Sequence, residues 1–215
     1  MNVETVLFDL DGTLINTNDL IIASFSHTLE RYFPNRFGKD DIVGFIGEPL
    51  RDSFYKIDPT LADEMVSVYR EHNIAHHDEL VREYEGVYET VQVLKAHRFK
   101  LGIVTTKARK TVEMGLKLTG LASFFETVVT IDDVKEAKPS PEPILKALRI
   151  LEARAETALM VGDSPHDISA GKNAGTATAG VEWAVKGSEV LRKMNPDVML
   201  EKMPQLLDVL KVAVK

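Results

Sequence analysis

Four short apolar runs, each stopped by a polar or acidic residue, constrain this chain more than any other feature. They are Thr5-Val6-Leu7-Phe8-Asp9, Leu101-Gly102-Ile103-Val104-Thr105, Thr127-Val128-Val129-Thr130-Ile131-Asp132 and Ala158-Leu159-Met160-Val161-Gly162-Asp163. Runs of this length, β-branched and nearly unbroken, are the pattern of strands buried on both faces. Between the last three lie stretches with helical spacing: Val112, Leu116 and Leu118 before Gly120, and Ile144, Leu145, Leu148 and Leu151 after Pro143. Strand–helix alternation predicts a doubly wound, Rossmann-like α/β core with a parallel sheet.

The rhythm breaks once, between Asp9 and a helix expected near Tyr88. This gap predicts an inserted small helical cap, residues 15–85, leaving 1–14 and 86–215 as the α/β core. One helix of the insert is expected from an N-cap at Thr17, with Leu20, Ile21, Phe25 and Leu29 on one side. Another is expected from about Thr60, carrying Leu61, Met65, Val68 and His72. A length of 215 residues suits such a core plus insert and excludes three independent domains.

In an open parallel sheet, ligands bind beyond the carboxyl ends of the strands. The residues there are Asp9, Thr105 and Asp163, with Lys138 a few positions past the third run. Two carboxylates, a hydroxyl and an ammonium converging on one crevice suit phosphoryl transfer, which needs a nucleophile, a hard-metal site and neutralisation of the transferring group. Asp9 is the candidate nucleophile and Asp11 the candidate acid and base, with Gly12 permitting a sharp turn. Asp-Gly-Thr is also an ordinary turn sequence. Magnesium takes oxygen ligands, which Asp9, the Asp11 carbonyl and Asp163 could supply, with Asp167 orienting a water or ligand behind them. Asp167 also suits the start of a helix. Lys138 precedes Pro139, Pro141 and Pro143, which restrict the backbone around it.

The remaining composition narrows the partners. A net charge of −7 gives nucleic acid and anionic lipid no general attraction to this surface. The absence of cysteine excludes disulfides, a thiol nucleophile and cysteine-ligated metals. No run approaches the ~20 apolar residues needed to span a bilayer, so a soluble, cytoplasmic protein acting on a small phosphorylated substrate is expected.

Taken in order, Asp9-Leu10-Asp11-Gly12-Thr13, Thr105 after its apolar run, Lys138-Pro139, and Gly162-Asp163 with Asp167 resemble the four motifs of the haloacid dehalogenase-like (HAD) phosphatases. The resemblance covers nearly the whole chain. It implies Asp9 as nucleophile, Asp11 as acid and base, phosphate binding by Thr105, Thr106 and Lys138, and Mg²⁺ at the acidic motif. The insert resembles the small cap of the phosphoglycolate phosphatase and β-phosphoglucomutase branch. Within that branch, Gly102-Ile103-Val104-Thr105-Thr106-Lys107, Gly115-Leu116-Lys117-Leu118-Thr119-Gly120 and Phe124-Phe125-Glu126-Thr127-Val128-Val129-Thr130 are most similar to the PpaX-type pyrophosphatases. That similarity implies hydrolysis of inorganic pyrophosphate through a phosphoaspartate. The alternatives are a phosphoglycolate phosphatase and a non-catalytic binding or regulatory protein of the same fold.

A second phosphate on the substrate calls for cations beyond Lys138. Lys107 and Arg109 follow Thr105 and are the candidates, with Arg51 in the loop Gly47-Glu48-Pro49-Leu50-Arg51 as another. His72, His76 and His77 are expected on a solvated helix face or end, His166 near the cleft, and Trp183 in packing.

Overall fold

The computed structural model describes residues 2–212. In chain order its strands are β1 (Thr5–Phe8), β2 (Ile15–Asn16), β3 (Arg82–Glu83), β4 (Lys100–Val104), β5 (Thr127–Val129), β6 (Ala158–Gly162), β7 (Ala177–Val181) and β8 (Val198–Leu200). Its α-helices are α1 (Asn18–Tyr32), α2 (Lys39–Phe45), α3 (Leu50–Ile57), α4 (Ala62–Ala75), α5 (His77–Leu80), α6 (Val87–Ala96), α7 (Arg109–Leu118), α8 (Glu142–Ile150), α9 (Pro165–Ala174), α10 (Ser188–Arg192) and α11 (Gln205–Val209).

Six strands form one sheet in the order β5-β4-β1-β6-β7-β8, and every pairing within it is parallel. Alternate residues of a strand face opposite sides, and both sides of this sheet are apolar. Val6, Phe8, Leu159 and Val161 pack on one face with Val91 and Leu94 of α6. Leu7 and Met160 pack on the other with Ile144 and Leu148 of α8. Continuous apolar strands are thereby explained by helices on both faces.

β1 lies between β4 and β6, so the chain leaves it toward one neighbour and returns on the other. That is the topological switch point at which such sheets open a crevice. Phe8 is level with Ile103 and Val161, which brings the residues following all three strands to one edge. The third run is shorter than expected. Thr130 donates from its N–H and Oγ1 to Asp133 Oδ2 at 2.8 and 2.7 Å, turning residues 131–133 into a 3₁₀ turn instead of strand. Strands β7 and β8 were not anticipated, because Ala177-Thr178-Ala179-Gly180-Val181 carries small residues and β8 has only three.

Beyond Gly12 the chain enters an antiparallel pair, β2 with β3, in which Ile15 faces Glu83 and Asn16 faces Arg82. Helices α1 to α5 lie between these two strands in the chain. They have their own apolar cluster, in which Phe25 meets Phe54 and Tyr69 at ring-centroid distances of 5.2 and 5.0 Å. The expected helix from about Thr60 begins at Ala62, because Asp58 accepts from the Thr60 and Leu61 N–H groups and holds that turn open. His77 is fully buried rather than on a solvated face, since it lies where α5 meets α7. His72 stacks on His27 and meets His76 with its ring tilted. Among the described residues, no helix is long and apolar enough to cross a membrane.

Candidate active site

The main-chain ladder sets the depth of the site. Asp9 donates its N–H to the Val161 carbonyl at 2.8 Å and Thr105 donates to the Val129 carbonyl at 2.9 Å, so both residues continue the sheet edge. Their side chains then open into a cavity of about 310 Å³. Asp9, Asp11, Thr105, Thr106, Lys107, Lys138 and Asp163 all line it.

Lys138 organises the buried end. Its Nζ donates to Asp9 Oδ1 at 2.7 Å, to Asp167 Oδ1 at 2.6 Å and to the Val104 carbonyl at 2.8 Å. Three ammonium protons are matched by three acceptors. Asp167 is held from its other oxygen, Oδ2, which accepts from the N–H and Oγ of Ser164 at 3.0 and 2.7 Å. Ser164 and Asp167 form a reciprocal capping box at the start of α9. Asp167 is therefore both a helix-capping residue and the anchor of Lys138, and it lies behind the cavity rather than on its wall. Ser164 was not among the residues expected at the site, and the Ser-x-x-Asp spacing before a helix is the signal by which it could have been found.

Asp163 is also buried, and its carboxylate accepts no hydrogen bond among the described residues. The backbone makes room for it at Gly12, whose φ is +79°; a Cβ there would sit 2.3 Å from Asp163 Oδ2. Asp11 Oδ1 accepts from Thr17 Oγ1 at 2.7 Å and from Lys107 Nζ at 2.6 Å. Thr17 occupies the expected N-cap position of α1, but its side chain makes no capping bond and is spent on Asp11 instead.

Electrostatics follow from crowding. Burial pushes the Asp9 carboxyl up to about 7, Lys138 pulls against this, and the negative charge of Asp167 adds to it. Asp163 is raised well above the usual carboxylate range by burial and then by Asp9 and Asp167. Lys138 is opposed by burial, yet Asp167 and Asp9 together hold it above the ordinary lysine range. One ammonium cannot balance three buried carboxylates. Oxygens of Asp9, Asp163 and Asp167 lie within 4.8 Å of one another. An all-oxygen, net-negative donor set with an unpaired carboxylate fits a hard divalent cation.

Arg109 does not join this site. Its guanidinium is bound to Asp133 Oδ2 at 2.5 Å and to the Val128 carbonyl at 3.0 Å, because α7 starts with the side chain directed along the β5 edge. Lys107 reaches the cavity but is paired with Asp11. Arg51 lines the cavity from α3 and is bound to Asp63 at 2.8 Å. Trp183 packs on Tyr84 with centroids 5.7 Å apart, and His166 lies beside Gly47 rather than on the cavity wall.

The geometry has a counterpart among known proteins, since the profile described as haloacid dehalogenase-like hydrolase matches residues 6–181, from β1 to the end of β7. The chain belongs to the haloacid dehalogenase-like hydrolase family. Among members of this family, it is 63% identical over 212 residues to a protein of Anoxybacillus flavithermus named pyrophosphatase PpaX, covering 99% of both chains. It is 60% identical over 210 residues to one of the same name from Bacillus thuringiensis, covering 98% of this chain and 97% of the other. A solved haloacid dehalogenase-like hydrolase from Streptococcus pneumoniae superposes with a TM-score of 0.86, over 97% of this chain and 98% of that one; at 24% identity it speaks for the fold. The chain is a hydrolase, and its α/β architecture is that of the family.

Proposed function

We propose that this chain hydrolyses inorganic pyrophosphate to two phosphates through a phosphoaspartate on Asp9. The observation that carries the reading is the division of labour at Asp9. Lys138 holds Oδ1, and Oδ2 has no protein partner among the described residues, so it is the oxygen left to attack phosphorus. As the new O–P bond forms, the bridging P–O bond breaks, and Asp11 gives its proton to the departing phosphate. Water then attacks the same phosphorus, its proton passes to Asp11, and the carboxylate oxygen leaves. Thr105 and Thr106 offer hydroxyls to the transferring group from the end of β4. Magnesium, when bound by Asp9, Asp163 and the Asp11 carbonyl, supplies charge neutralisation to the phosphoryl oxygens.

In this reading residues 15–85 act as a cap that closes the cavity, and 1–14 with 86–215 form the core. Support comes from the β2–β3 pair at the junction and from the contacts across it. Lys186 donates to the Gly44 carbonyl at 2.8 Å, and Gly47 lies against Ser164. A covered site keeps stray water from the acyl phosphate. A cysteine-free chain acting on a phosphoanhydride suits the cytoplasm. The name shared by the two relatives supports pyrophosphate as the substrate.

The test is phosphate release with Mg²⁺ from pyrophosphate, phosphoglycolate and a sugar phosphate at equal concentration. Pyrophosphate should lead, and Asp9→Asn should lose about 10³-fold or more of that activity. A several-fold preference for phosphoglycolate would overturn the substrate, and full activity of Asp9→Asn would overturn the covalent route.

A further inference from the structure

Five basic side chains line the cavity: Arg51, Arg70, Lys107, Lys110 and Lys138. Three are already committed to carboxylates of the protein. Lys138 holds Asp9 and Asp167, Lys107 holds Asp11, and Arg51 holds Asp63. Arg70 on α4 and Lys110 on α7 make no side-chain hydrogen bond or ion pair among the described residues, although both face a cavity that contains Asp9, Asp11 and Asp163.

Cations already paired with carboxylates are largely neutralised before a polyanion arrives, so its charge is met best by the free ones. A committed cation must first give up its carboxylate, whereas a free one exchanges only water for phosphate oxygens. We infer that Arg70 and Lys110 form the subsite for the second, departing phosphate of a diphosphate substrate. This assignment rests on the pyrophosphatase reading and replaces the expectation that Lys107 and Arg109 would serve.

The two residues come from different elements of the cavity lining, α4 and α7. Arg70 projects from the helical segment and Lys110 from the first turn of α7, so a dianion gripped by both ties the segment to the core at the moment of reaction. Arginine brings a planar fork matched to two phosphate oxygens, and lysine a point charge. The consequence is selectivity for substrates with a phosphate on the leaving side over esters with an uncharged leaving group.

The experiment compares the wild type with Arg70→Met and Lys110→Met, which keep the aliphatic stems of two exposed side chains. Thermal melting serves as the check on folding. Each variant is assayed on pyrophosphate and on p-nitrophenyl phosphate, and methylenediphosphonate is tested as an inhibitor of the aryl ester reaction. The loss in kcat/KM on pyrophosphate should be about 10–100-fold, the scale of a charge-assisted hydrogen bond. It should exceed the loss on the aryl ester by about tenfold, and Arg70→Lys should recover part of it. The inhibition constant for methylenediphosphonate should rise about tenfold or more on the same scale. Equal losses on the two substrates, or an unchanged inhibition constant, would overturn the subsite. If the wild type fails to cleave pyrophosphate, the substrate reading falls, and the inhibition constants alone decide whether Arg70 and Lys110 bind a second phosphate.

Discussion

At the scale of single residues, the site depends on atoms that are missing as much as on those present. Gly12 combines a φ of +79° with a Cβ position already taken by Asp163 Oδ2. Gly12→Ala should therefore cost about 1–3 kcal/mol in urea unfolding and about 10²-fold in activity, since misplacing a reacting carboxylate by an ångström is that expensive. Gly187 has a similar φ of +84° but open space where its Cβ would go. Gly187→Ala should lose stability and keep activity, and a matching activity loss in both variants would refute the packing argument. Asp9 yields a pH prediction with a definite sign. Burial raises its folded pKa to about 7 from 3.8, so the metal-free folded chain holds a proton there that the unfolded chain has released. The stabilisation this confers is complete below about pH 4 and is lost as pH rises through about 7. A divalent cation must displace that proton, so Mg²⁺ should raise the melting temperature more at pH 8 than at pH 6. Equal shifts at the two pH values would contradict the assignment of Asp9 to the metal.

Among the elements, α1 shows how a helix end was turned to another use. Thr17 sits where a capping hydroxyl belongs, yet Thr17 Oγ1 donates to Asp11, 2.7 Å away and on the other side of the Gly12 turn. Thr17→Val should lower kcat by about tenfold, the scale of one hydrogen bond to a charged acceptor, with KM nearly unchanged, while Thr17→Ser should retain activity. A loss of stability with kcat intact would return Thr17 to a capping role. Strand β1 was legible because Val6, Leu7 and Phe8 are apolar in sequence and buried on both faces in space. Strand β7 was not, because close packing there uses glycines, Gly180 of β7 against Met199 and Gly171 of α9 against Thr178, and small residues carry no periodic signal. The 3₁₀ turn after β5 was hidden for a related reason: Ile131 looks like strand until Asp133 is seen capping Thr130.

For the molecule as a whole, the helical segment and the sheet meet over the cavity at few polar points. Lys186, in the loop after β7, donates to the Gly44 carbonyl near the end of α2. Its partial exposure limits the bond to about 0.5–1 kcal/mol. Lys186→Met should raise KM for pyrophosphate about 2–5-fold, matching that energy, without lowering kcat in proportion. An unchanged KM would mean that the segment is held by its apolar contacts and the β2–β3 pair alone.

By itself the sequence determined the α/β class, the helical interruption and the chemistry available at the strand ends. Apolar runs must be buried, parallel strands must align their carboxyl ends, and the residues that stop those runs must then share one crevice. That is why Asp9, Thr105 and Asp163 could be named before any coordinates, with Lys138 a few positions past the third run. Only the tertiary structure decided which charges are spent and which are free. Lys107 and Asp11 are 96 positions apart in the chain and 2.6 Å apart in space, while Arg109, two residues from Lys107, turns away to Asp133. Coulomb attraction and hydrogen bonding depend on distance through space, and sequence spacing gives no measure of it between elements brought together by folding.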